Sequence, residues 1–82
     1  MGGLALDTKS KPSELIRELR GRLGLTQEKL AAKLGVAYPT INRWENDRAK
    51  PSPLALRTIE ELVRSLGDDG KDLLDQFFPT ER

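Results

Sequence analysis

Two short stretches of helical period meet at one glycine, Gly35, and that junction narrows the folds open to this chain. Upstream, Thr26 suits a helix cap, and Leu30, Ala31 and Leu34 fall on one helical face. Downstream, Ile41 and Trp44 stand three apart and face the same way. With only three or four residues between them, the two helices must turn sharply, and Gly35 can take left-handed backbone without a Cβ penalty. Val36, Ile41 and Trp44 are expected to plug the angle, while Ala31 is small where the upstream helix must approach. The outer side of the downstream helix is left with Tyr38, Thr40, Asn42 and Arg43, all able to hydrogen-bond.

The rest of the chain adds helices and no strand-like alternation. A first helix is expected from Pro12 or Ser13 to Leu23, capped by Ser10 or Ser13, striped by Leu15, Ile16, Leu19 and Leu23, and stopped by Gly24. The helix after Gly35 is expected to take Tyr38 as its cap and Pro39 as its first residue, because the residue before a proline is pushed out of the helical region. It should end near Asn46. A polar loop leads to Ser52 and Pro53, which open a fourth helix with Leu54, Ile59, Leu62, Val63 and Leu66 on its apolar stripe and Gly67 at its end. A short fifth helix spans Lys71 to Phe77, capped by Asp69 and followed by Pro79. The fold class is therefore all-α, a compact bundle of about five short helices. Residues 1–11 read as a flexible arm, 12–78 as the domain and 79–82 as a tail.

Eighty-two residues make one domain with little core to spare for a deep cavity. The chain has no Cys and no His, which excludes disulfides, thiol nucleophiles and Ser-His-Asp chemistry. No Gly-rich phosphate loop and no carboxylate pair in an apolar setting is visible, so no enzyme, cofactor or metal is expected. Asp68, Asp69, Asp72 and Asp75 lack the spacing of a calcium loop and read as a solvated acidic end. No apolar run approaches the ~20 residues of a membrane span, and the start does not read as a secretory signal, so a cytoplasmic, nucleoid-associated location is expected. The net charge of +1 hides an asymmetry. Residues 1–50 hold ten Lys or Arg against six Asp or Glu; residues 51–82 hold four against seven. A basic first part suits a polyanionic partner.

The run from Thr26 to Glu45 resembles the helix-turn-helix of the phage repressor and Cro-type family of bacterial regulators. The matching positions are Gln27, Ala31, Gly35, Val36, Ile41 and the Trp44-Glu45-Asn46 close, and the likeness extends over roughly residues 13–67. It implies a lambda-repressor-like bundle whose second and third helices form the helix-turn-helix. It further implies a sequence-specific, double-stranded DNA-binding transcriptional regulator with the recognition helix, about 38–46, in the major groove. By the same likeness Tyr38, Thr40, Asn42 and Arg43 face base edges or nearby phosphates; Arg43 suits guanine and Asn42 adenine. Gln27 would bind phosphate, and Asn46, Arg48 and Lys50 would follow the backbone without reading sequence. Arg20 and Glu45 match positions that form a partly buried ion pair, and Trp44, Ala31, Gly35 and Ile41 support the recognition helix. The sequence departs from the family in three places. Asp47 stands where Gly is usual, Ala37 where Ser or Thr is common, and Pro39 where a polar residue often contacts a base.

One such half-site is too short for selectivity in a genome, so a homodimer on a palindromic site is expected. Phe77 and Phe78 are adjacent and cannot both face one small core; one is expected to close it and the other to be exposed for a dimer or another chain. The alternative is a DNA-binding antitoxin or a protein-interaction adaptor that uses the acidic, Phe-containing segment 68–82.

Overall fold

The computed structural model describes residues 11–79. Residues 1–10 of the expected 1–11 arm and residues 80–82 of the expected tail lie outside the described residues, as does the proposed Ser10 cap. Five α-helices follow one another: α1 Pro12–Leu23, α2 Gln27–Leu34, α3 Tyr38–Glu45, α4 Pro53–Arg64 and α5 Lys71–Phe77, with a 3₁₀ turn at Gly67–Gly70 before α5. There is no strand among the described residues. No helix there is long and apolar enough to cross a membrane.

The core is aliphatic with one indole. Leu15, Ile16 and Leu19 of α1, Leu30 and Ala31 of α2, Ile41 and Trp44 of α3, Ile59 and Val63 of α4 and Leu73 of α5 are buried together. Each of the larger of these side chains stabilises the fold by roughly 1.5–3 kcal/mol over leaving it in water. Helix α3 packs on both α1 and α2, while α5 packs on α4 and α1. The outer face of α3 therefore stands on a support made by the first two helices.

Two bends need glycine. Gly35 closes α2 at φ +73°, with its own N–H bonded to the Ala32 carbonyl and the Val36 N–H to the Ala31 carbonyl. This paired arrangement satisfies the last carbonyls of α2 and swings the chain at once into α3. Gly70 is needed for another reason. It lies buried where the 3₁₀ turn crosses α4, and a Cβ there would strike the Val63 carbonyl oxygen.

Six local expectations are corrected. The cap of α1 is Lys11, with no side-chain bond, and Ser13 is buried inside the first turn. The cap of α3 is Ala37 rather than Tyr38, whose place in the helix sets Ile41 and Trp44 toward the core. Packing of those two side chains outweighs the restriction that Pro39 puts on its neighbour. Asp69 does not cap α5; the 3₁₀ turn runs straight into it and Gly70 takes the cap position. Leu54 is off the apolar stripe and 72% exposed. It precedes Ile59 by five residues, about 140° around a helix of 3.6 residues per turn. Helix α4 stops at Arg64 with Ser65 as its cap rather than at Gly67, because the chain turns there into the 3₁₀ segment, and Leu66 falls in that turn. Finally, neither Phe77 nor Phe78 is exposed: both are half-buried against the core. The side-chain caps of α2 and α4 are as read. Thr26 and Ser52 accept the Lys29 and Ala55 N–H groups at 3.1 Å each.

Candidate nucleic-acid interface

Helix α3 is held at its C-terminal end by two arginines of α1. Arg20 meets Glu45 at two points, Nε to Oε2 at 2.7 Å and Nη2 to Oε1 at 3.0 Å, and also donates to the Leu25 carbonyl at 3.3 Å. Arg17 donates from Nη2 to the Glu45 backbone carbonyl at 2.8 Å. Two positive groups at the negative end of a helix also favour its dipole. The Arg20–Glu45 pair implied by the family likeness is thus present. The role of Arg17 escaped sequence reasoning. It precedes Arg20 by three residues, so both project from one edge of α1, and that spacing is the signal that could have found it.

Glu45 is 4% exposed, yet charged. Burial pushes its carboxyl up, but hydrogen bonds from Arg20 and Gln27, with the charges of Arg20 and Arg17, outweigh that and hold it below the usual carboxylate range. The bond to Glu45 in turn raises the Arg20 guanidinium against the opposing effect of burial. A buried charge satisfied in this way gives α3 one defined seat.

Beyond that clamp lies the outer face. Tyr38 is 46% exposed, Asn42 and Arg43 are exposed, and Thr40 is half-buried. Arg43, Arg48 and Lys50 are exposed and stand outside every ion pair among the described residues. Gln27, expected as a phosphate ligand, is drawn inward: its Nε2 donates to Glu45 Oε1 at 3.0 Å. Its Oε1 accepts from Asn42 Nδ2 at 3.3 Å. Asn46 donates from Nδ2 to the Asn42 carbonyl at 2.8 Å and to Asn42 Oδ1 at 3.3 Å. Gln27, Asn42, Glu45 and Asn46 are thus one network, while Arg43, Arg48 and Lys50 stand outside it among the described residues.

The turn after α3 accounts for the aspartate that departs from the family pattern. Asp47 has φ +60°, the one non-glycine in that region among the described residues. The Asp47 N–H bonds to the Trp44 carbonyl at 3.3 Å and the Arg48 N–H to the Arg43 carbonyl at 2.9 Å. An aspartate here does what a glycine does after α2, at a small conformational cost. Lys11 lies 3.8 Å from its carboxylate.

The acidic end is not a loose tail. Arg22 of α1 grips Asp72 at 2.6 and 2.9 Å, donates to the Asp69 carbonyl at 2.8 Å and meets Glu18 at 3.1 Å. The Arg22 bonds hold the Asp72 carboxyl below its ordinary value. No group of three or more potential metal ligands occurs among the described residues.

A family model described as helix-turn-helix matches residues 16–64. Over 53 residues the chain is 47% identical to a Methanothermobacter thermautotrophicus protein named an uncharacterized HTH-type transcriptional regulator, covering 65% of this chain and 72% of that one. Over 54 residues it is 37% identical to the propionyl-CoA carboxylase regulator of Cereibacter sphaeroides, covering 66% of this chain and 11% of that relative. Against that longer regulator the chain spans only about a ninth of the length. No solved structure gives a significant match.

Proposed function

The chain belongs to the helix-turn-helix family, and from that premise we propose that this DNA-binding regulator reads a specific duplex sequence with α3 in the major groove. The observation that carries the reading is the state of Arg43: exposed, free of any ion pair among the described residues, and fixed on a helix that Arg17 and Arg20 seat against the body. A free guanidinium on a rigid helix can give two parallel bonds to guanine. Tyr38 and Thr40 share that face, and Pro39 offers only shape. Asn46, Arg48 and Lys50 contact the phosphates beyond α3, joined by the second amide N–H of Gln27, and set register rather than sequence. Selecting bound duplexes from a random pool at stated salt tests this. A defined motif is expected; a pool that stays random after repeated rounds refutes it.

A palindromic motif is expected too, because the reading includes a homodimer. One surface suits a second copy. A cleft of ≈ 290 Å³ between α1, α4 and α5 is lined by Pro12, Leu15, Leu56, Phe77 and Phe78 among others, with Arg57 and Glu60 at its side. Leu54, exposed, stands beside it next to Pro53 and Arg57. In a two-fold contact Leu54 of each copy enters the other's cleft, and Arg57 of each meets the other's Glu60. The antitoxin or adaptor reading has less to support it, because the acidic stretch at 69–72 is folded back on Arg22.

A further inference from the structure

The network beneath the outer face of α3 runs in one direction. A carboxylate can only accept, so Gln27 must turn its Nε2 toward Glu45 Oε1, which leaves its Oε1 pointing at Asn42. Asn42 must meet that oxygen with Nδ2, as it does at 3.3 Å, and its Oδ1 then faces the Asn46 Nδ2 at 3.3 Å. The order Glu45, Gln27, Asn42, Asn46 allows no amide to be reversed without setting two acceptors or two donors against each other.

We propose that Gln27 is a specificity-determining positioning residue, which transmits the accept-only character of Glu45 to the Asn42 amide and so fixes it as a reader of adenine. Asn42 carries two N–H donors and two acceptor sites on its oxygen. One donor goes to Gln27 and one acceptor site to Asn46. One donor and one acceptor site remain on an exposed amide. Adenine offers the complement in the major groove, an acceptor at N7 beside a donor at N6, whereas guanine offers two acceptors there. Left unanchored, the amide would turn over and accommodate other edges at lower selectivity. This assignment rests on the proposal that α3 reads duplex DNA. It gives Gln27 a second task besides phosphate contact, and the two tasks leave different signatures.

The test is binding to duplexes varied at each base pair, for the wild type, Gln27→Met, Asn42→Ala and the double variant, with each protein's folding checked by its thermal melt. Asn42→Ala identifies the base pair that Asn42 reads. At that pair Gln27→Met is expected to lower the preference for adenine about fivefold or more, the low end for a bidentate contact. Other positions keep their preferences, and in the Asn42→Ala background Gln27→Met changes no preference further. If Gln27→Met weakens all duplexes by one factor and keeps the adenine preference, Gln27 is a phosphate contact alone and the inference is overturned. It is overturned equally if Asn42→Ala alters no base preference while the wild type still selects a motif. A wild type with no preference at any pair would instead refute the DNA-reading proposal itself.

Discussion

Arg20 and Glu45 form the bond that seats the outer helix. Two hydrogen bonds of 2.7 and 3.0 Å join them across 25 residues of sequence, and Glu45 is almost wholly buried. Replacing Arg20 by Met removes the charge but keeps much of the apolar stem, so the buried Glu45 carboxylate is left with the Gln27 bond and the charge of Arg17 alone. The expected cost is about 3 kcal/mol, the lower end for such a group because Arg20 itself is partly exposed. Urea denaturation at neutral pH reads this directly. A loss under about 0.5 kcal/mol would mean that the pair acts as an ordinary surface bridge.

The same pair predicts how stability responds to acid. Glu45 and Asp72 both have carboxyls lowered in the folded state, below the ordinary carboxylate range. A carboxyl with a lowered folded pKa binds protons more readily when unfolded, so its stabilisation is complete above the unfolded value. That stabilisation is lost as pH falls through the folded one. Denaturation midpoints should hold level above about pH 5.5 and decline steadily below about pH 4.5. In Arg22→Gln the part of the decline that belongs to Asp72 should vanish. An unchanged acid limb in that variant would show that the Arg22–Asp72 contact is too screened to matter.

Asp47 sits at φ +60° between the outer helix and the basic loop. Asp47→Gly relieves left-handed strain but frees the unfolded chain, for a net gain of about 0.5 kcal/mol. It also removes a negative charge beside Arg48 and Lys50, so binding to any duplex should tighten. Thermal melts and a titration with unrelated duplex check the two halves separately. Unchanged binding to duplex in Asp47→Gly would place this loop away from the DNA.

Leu54→Glu puts a charge where the proposed two-fold contact needs an apolar knob, and the side chain is too exposed in one copy for the change to unfold it. Sedimentation should show the dimer weakened at least tenfold with the melting temperature of the monomer nearly unchanged. A dimer of unaltered strength would move the interface elsewhere.

Much of this arrangement is legible in the sequence because it is local. Gly35 and Ser52 mark turns and caps through their own backbone and side-chain chemistry, and the spacing of Ile41 and Trp44 assigns the inner side of α3. What depends on distant partners is not legible in that way. Arg17 and Arg22 look like solvated surface beside Arg20, yet each reaches a group 28 to 50 residues away. Leu54 looks like a core residue because a five-residue offset from Ile59 resembles a helical repeat until the angle is counted. Gln27 matches a phosphate-binding position, but the seat of Glu45 against α2 follows only from how α1, α2 and α3 come together. That packing turns its amide inward.

The most direct measurement of the central claim is the binding of wild type and Arg43→Ala to a selected duplex and to an unrelated one, at the same salt. Binding of Arg43→Ala to the selected duplex should be weaker by ~1–3 kcal/mol, with the preference relaxed at one base pair and the unrelated duplex much less affected. Equal losses on both duplexes, or none on either, would contradict the claim that the outer side of α3 reads sequence.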